Sequence, residues 1–141
     1  MKLGIVTSPA VKEFDFTPFF NMSDPNFDSF CRKQGIFSVN HVVCCSRIPV
    51  QLEAARKANE LRISTTEFSN EECTPDIIDE SDVLLIVWDD FSPQLTAVAD
   101  YIKKQQKPLY LIIMHKQYEI DKNLYDNDFL HVFSKIMKKA L

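Results

Sequence analysis

The sequence predicts an α/β fold: one domain, residues 1–141, in three layers, with a five-stranded, mainly parallel sheet and helices on both faces. Three observations carry this. Short, wholly apolar runs led by Val83 to Trp88 (VLLIVW) mark strands buried on both faces. Stretches with apolar residues at helical spacing alternate with those runs. Prolines preceded by capping residues, at Asp24-Pro25 and Ser92-Pro93, punctuate helix starts.

Taken in order, Lys2 to Thr7 (KLGIVT) reads as the first strand, apolar almost throughout. Residues 8–22 hold two prolines and four phenylalanines (Phe14, Phe16, Phe19, Phe20), which predicts an ordered, aromatic-rich loop. It suits a flap over the core, a lid over a ligand, or a surface for a protein partner or second copy. Asp24-Pro25 opens a short helix whose apolar face is Phe27, Phe30 and Cys31, and Gly35 suits its left-handed C-terminus. Val39 to Cys45 reads as the second strand. Ser46 to Pro49 turns the chain into a helix that buries Val50, Ala54, Ala58 and Leu61. Ile63 to Phe68 alternates like a strand nearer an edge. A helical turn at Pro75 to Asp79 precedes the strand Val83 to Trp88. Ser92-Pro93 then starts a helix with Leu95, Val98, Ala99 and Ile102 on its buried face, stopped by Pro108. Leu109 to Met114 is the fifth strand. Residues 115–126 read as a polar loop, and Phe129, Val132, Phe133, Ile136, Met137 and Ala140 form the stripe of a last helix.

Composition bounds the function. A net charge of −4 argues against general nucleic-acid or membrane-surface binding. No run approaches the ~20 apolar residues that span a bilayer, and the N-terminus reads as a strand, so a cytoplasmic location is expected. The four cysteines, Cys31, Cys44, Cys45 and Cys73, lack metal-site spacing and read as buried reduced thiols. Cys44 and Cys45 should point to opposite faces of their strand. The chain has two glycines, against about ten at average usage, so glycine-built phosphate loops are scarce.

The strand order expected for this succession is 3-2-1-4-5, a Rossmann-like arrangement, with ligands bound beyond the carboxyl ends of the strands at the switch between strands 1 and 4. That rule nominates Thr7, Ser8, Ser46, Arg47, Trp88, Asp89, Asp90 and Ser92 as the rim of a ligand site. Arg47 suits a phosphate or carboxylate, the serines can donate, Asp89 can accept from a ribose hydroxyl, and Trp88 either stacks a ring or plugs the strand end.

Two stretches carry a family resemblance. HVVCCSRIPVQLEAARKANELRISTTEF is similar to the strand, turn, helix and strand of the SLOG superfamily, close to its YpsA-like members. DESDVLLIVWDDFSPQLTAVADYIKKQQKPLYLI resembles the second half of that pattern, through Trp88, Asp89, Ser92, Asp100, Tyr101, Lys107 and Pro108. With the first strand the resemblance spans residues 1–114. It implies a Rossmann-like fold and a site for nucleotide-derived ligands, in a family where some branches cleave base–ribose bonds and others sense a ligand. The chain departs from the pattern at the loops. Cys45-Ser46-Arg47 stands in place of glycines after strand 2, Asp90 and Gln94 after strand 4, and Ser8-Pro9 ends strand 1. The turn after strand 4 leads to Gln94 and Thr96 where a helix-borne glutamate is expected of an enzyme. The resulting expectation is a non-catalytic SLOG-like protein that binds a nucleotide-derived or other small anionic ligand, without cofactor or metal, alone or as an oligomer. The alternatives are an interaction module that keeps the fold without a ligand, and an N-glycosidase-type enzyme using Asp89 or Glu53.

Overall fold

The computed structural model describes residues 1–88, 94–113 and 116–120. The elements are β1 (Lys2–Thr7), α1 (Thr17–Phe20), α2 (Pro25–Lys33), β2 (His41–Cys45), α3 (Pro49–Glu60), β3 (Ser64–Phe68), α4 (Thr74–Glu80), β4 (Val83–Trp88), α5 (Gln94–Gln105), β5 (Leu109–Ile113) and β6 (Lys116–Ile120). The six strands form one sheet in the order β3-β2-β1-β4-β5-β6. The first five are parallel, and β6 pairs antiparallel with β5. The expected 3-2-1-4-5 core is present, with β3 at an edge, but the sheet has six strands rather than five. The sixth lies within the segment expected to be a polar loop. Residues 121–126 and the expected C-terminal helix fall outside the described residues.

Strand alternation sorts the core into two clusters. Leu3 and Ile5 of β1, Val42 and Cys44 of β2, and Val83, Leu85 and Val87 of β4 face α1, α2 and α3. Val6, Val43, Cys45, Leu84, Ile86 and Trp88 face α4 and α5. Cys44 and Cys45 therefore do point to opposite faces. α2 begins as its sequence dictates: the Asp24 carboxylate accepts from the Phe27 N–H at 2.9 Å, and Pro25 occupies the first turn. Gly35 follows the helix at φ +74°, a conformation that glycine adopts without Cβ strain.

The aromatic segment is packed inward and contains α1, where a loop was expected. Phe16, Phe19 and Phe20 are buried, and the Phe19 and Phe27 rings meet edge-on at 5.3 Å. Tyr110 of β5 joins the same cluster. Those three phenylalanines belong to the core, with Phe14 partly buried against them. Leu61 also departs from expectation. α3 ends at Glu60, so Leu61 lies beyond the helix and is exposed, while Gln51 of the first turn is buried.

Candidate functional site

The carboxyl ends of β1, β2 and β4 open on a cleft. Its larger cavity has a volume of about 540 Å³, within the range of small-ligand sites. Thr7 and Trp88 stand at the strand ends, Arg47 and Ile48 in the turn after β2, and Thr74, Pro75 and Ile78 come from α4. Ala97, Val98 and Tyr101 of α5 close the far side. An adjoining cavity of about 280 Å³ shares Thr7, Pro9, Arg47 and Ile48 and adds Ser8, Val11, Lys12, Pro49 and Val50. The two together follow the β1–β4 switch, the position where open α/β sheets commonly hold ligands.

A buried side-chain bridge sets the floor. Gln51, 1% exposed, sits in the first turn of α3. Its Oε1 accepts from the Cys45 N–H at 2.8 Å, and its Nε2 donates to Thr7 Oγ1 at 3.0 Å. Two neighbouring strand ends are thereby tied to one helix, and both groups of the amide are satisfied. Thr7 Oγ1 accepts from the amide, so its own proton is free to point elsewhere. A polar residue directly after Val50 in a strand-to-helix turn is a weak sequence signal, and Gln51 was not among the expected site residues.

Side-chain hydrogen bonds tie the wall together. Lys107 Nζ donates to the carbonyls of Ile78 and Asp79, completing the C-terminus of α4. The Tyr101 hydroxyl donates to the Asp79 carboxylate at 2.9 Å, and that bond holds its pKa above the usual tyrosine range. α4 is thus fastened to α5 and to the start of β5.

The cysteines overturn the expectation of four reduced thiols. Cys45 and Cys73 form a disulfide between the end of β2 and the residue before α4, and both line the larger cavity. Nothing in their spacing of 28 residues shows this pairing. It arises because the parallel crossover through α3 and β3 returns the chain to the end of β2. Cys31 and Cys44 are free and buried as expected, and burial pushes both thiols up to about 12.

The other expected rim residues divide. Thr7, Arg47 and Trp88 line the larger cavity, although Trp88 is buried and presents little surface for stacking. Ser8 lines only the smaller one, its N–H donating to the Val87 carbonyl. Ser46 lines neither: its Oγ and N–H both donate to the Phe68 carbonyl, which anchors β3. Asp89, Asp90 and Ser92 lie outside the described residues. Glu53 faces solvent in an ion pair with Arg56 and lines neither cavity.

The charges are unevenly placed. Arg47 and Lys12 are exposed cations that make no ion pair among the described residues, and both line the smaller cavity, whose described lining residues include no acid. Ile48, the N-cap residue of α3, makes no side-chain cap bond, and both Ile48 and Pro49 line the same space. Glu71 and Glu72 line the larger cavity at its α4 side. No group of three or more His, Cys, Asp and Glu among the described residues could hold a metal ion. No helix among them is long and apolar enough to cross a membrane. No protein-family model, curated protein or solved structure matches the chain.

Proposed function

We propose that the chain binds a small ligand with an anionic head and an apolar or aromatic body, of the nucleoside monophosphate type, at the β1–β4 switch. The observation that carries the reading is the two-part cleft with Arg47 on the shared wall. The head sits in the smaller cavity, against Arg47, Lys12 and the uncapped start of α3. The body lies in the larger cavity over Ile78, Ala97 and Val98. The resemblance of residues 1–114 to the SLOG superfamily supports the same ligand class. Binding rather than turnover is favoured by Glu53, which is paired away from the cleft.

The test is thermal unfolding with millimolar AMP and ADP-ribose. Ligand at about 100 times its Kd adds ~2.7 kcal/mol to stability. A rise in Tm with either compound, lost in Arg47→Ala/Lys12→Ala, is the expected result. An unchanged Tm with both compounds refutes the reading.

A further inference from the structure

The Cys45–Cys73 disulfide differs from the remaining cysteines in position. Both of its residues line the larger cavity, whereas Cys31 and Cys44 line neither part of the cleft. The disulfide forms part of the cavity wall, between the turn that carries Arg47 and the loop that carries Glu71 and Glu72.

We infer that Cys45–Cys73 is a thiol–disulfide exchange site for a low-molecular-weight thiol that enters the cleft. The residues are 3% and 4% exposed, on the wall of a concave space of about 540 Å³. That geometry admits a small thiol and hinders the active site of a protein dithiol. The inference goes beyond the anion-binding reading and does not depend on it.

The chemistry follows from the neighbours. Arg47 comes two residues after Cys45, Glu71 and Glu72 directly precede Cys73, and all five line the same cavity. The proposed exchange takes Cys73, next to the acidic pair in sequence, as the sulfur attacked and Cys45, nearer the cation in sequence, as the leaving group. An incoming thiolate forms a bond to Cys73 Sγ, the Cys45–Cys73 bond breaks, and Cys45 leaves as a thiolate. A second thiolate attacks the small-molecule sulfur of the mixed disulfide. Cys73 is released and takes a proton, and the small-molecule disulfide departs. Two electrons pass from the two small thiols to the protein. Cys73 Sγ lies 3.1 Å from the Asn70 carbonyl, which is placed to accept from the thiol once it forms. Exchange unties the loop before α4 from β2, so Thr74 and Pro75 lose one of their fixed supports on the cleft.

The experiment uses the full chain, folded, without ligand. It is incubated with reduced glutathione, quenched in acid, alkylated and mapped by mass spectrometry, with reduced thioredoxin as the comparison. Glutathione should open Cys45–Cys73 while circular dichroism stays native, and Cys31 and Cys44 should remain unlabelled before unfolding. In Cys45→Ser, oxidised glutathione should leave its adduct on Cys73. Ala97→Trp, an exposed position lining the cleft, should slow exchange at least about tenfold by closing access. Gln94→Trp, also exposed and on the lining, provides the same block if Ala97→Trp misfolds. The inference is overturned if the bond opens only after urea unfolding. It is equally overturned if thioredoxin reduces it faster than glutathione, or if both tryptophan variants fold and exchange at the parent rate.

Discussion

Opening the Cys45–Cys73 bond should weaken the fold by an amount set by the loop it closes. The linked residues are 28 apart. The chain-entropy relation, −2.1 − 1.5R ln n with n of about 28, gives roughly −12 cal/mol/K, or about 3.6 kcal/mol at 25 °C. Unfolding entropy near 2.1 cal/mol/K per residue, over 141 residues, is about 0.3 kcal/mol/K, so the matching drop in Tm is about 12 °C. The measurement is urea unfolding of the oxidised chain against the same chain in a phosphine reductant, which keeps every side-chain atom in place. Cys45→Ser/Cys73→Ser serves as a check on the reduced sample. A loss below about 1 kcal/mol refutes the reasoning, because the α3–β3 crossover would then be as constrained in the unfolded chain without the bond as with it. The magnitude also bears on the exchange site. Domains of this size hold ~5–15 kcal/mol in all, so a loss of this size leaves room for the reduced chain to stay folded.

Gly4→Ala should cost about 3 kcal/mol in urea unfolding, since its Cβ would overlap Ser81 Oγ and approach Leu84 Cδ2 at 2.7 Å. Adding Ser81→Ala should recover part of that loss, and an unaltered Gly4→Ala protein would contradict the packing of α4 against β1. Gln51→Leu should cost about 2 kcal/mol by leaving the Cys45 N–H without its acceptor, and a double-mutant cycle with Thr7→Val should show coupling near 1 kcal/mol. Additive losses would mean that the amide does not bridge the two strand ends. Cys31 and Cys44, raised to about 12 by burial, keep their protons in the fold at pH values where the unfolded chain releases them. Their contribution is full below the ordinary thiol pKa, near 8.5, and is lost as pH rises from there towards 12. The stability difference between the parent and Cys31→Ala/Cys44→Ala should therefore shrink between pH 8 and 11, and a constant difference would show that the thiols titrate normally.

How much of this was legible depended on whether a residue's neighbours lie close in sequence. β4 and β5 are buried on both faces, and such strands announce themselves as unbroken apolar runs. β3, with exposed and half-buried residues along its length, showed its edge position through alternation. β6 gave no such signal. Its Gln117 and Glu119 are exposed and Tyr118 is only half-buried, so a five-residue strand of mostly polar residues reads as a loop until β5 is beside it. Of the rim residues expected from strand order, Thr7, Ser8, Arg47 and Trp88 line the cleft, but the use of each residue was not legible. Ser46 was expected to face a ligand and instead donates to Phe68, because β3 pairs alongside β2 at that point. Gln51 and the Cys45–Cys73 bond both join segments distant in sequence, and only the returned crossover brings them to one place.

The chain's two glycines both lie away from the cleft. Gly4 lies inside β1, where a side chain would collide with Ser81, and Gly35 takes a left-handed conformation after α2. Both are accounted for by packing and chain direction, and neither lines the cleft. The loops after β1, β2 and β4 contain no glycine at all. A cradle of successive backbone N–H groups wrapping a diphosphate usually needs glycine to bring the backbone that close. For the ligand we propose, recognition would fall instead to side chains, Arg47 on the shared wall and Lys12 in the smaller cavity above all, together with the start of α3. Two exposed cations suit a single phosphate or carboxylate better than a chain of phosphates, and their attraction is screened by salt. The same scarcity explains the reliance on Gln51 and on the Cys45–Cys73 bond. With no flexible glycine turn to shape the mouth, the cleft takes its form from side chains that tie its walls together, Gln51 and the Cys45–Cys73 bond among them.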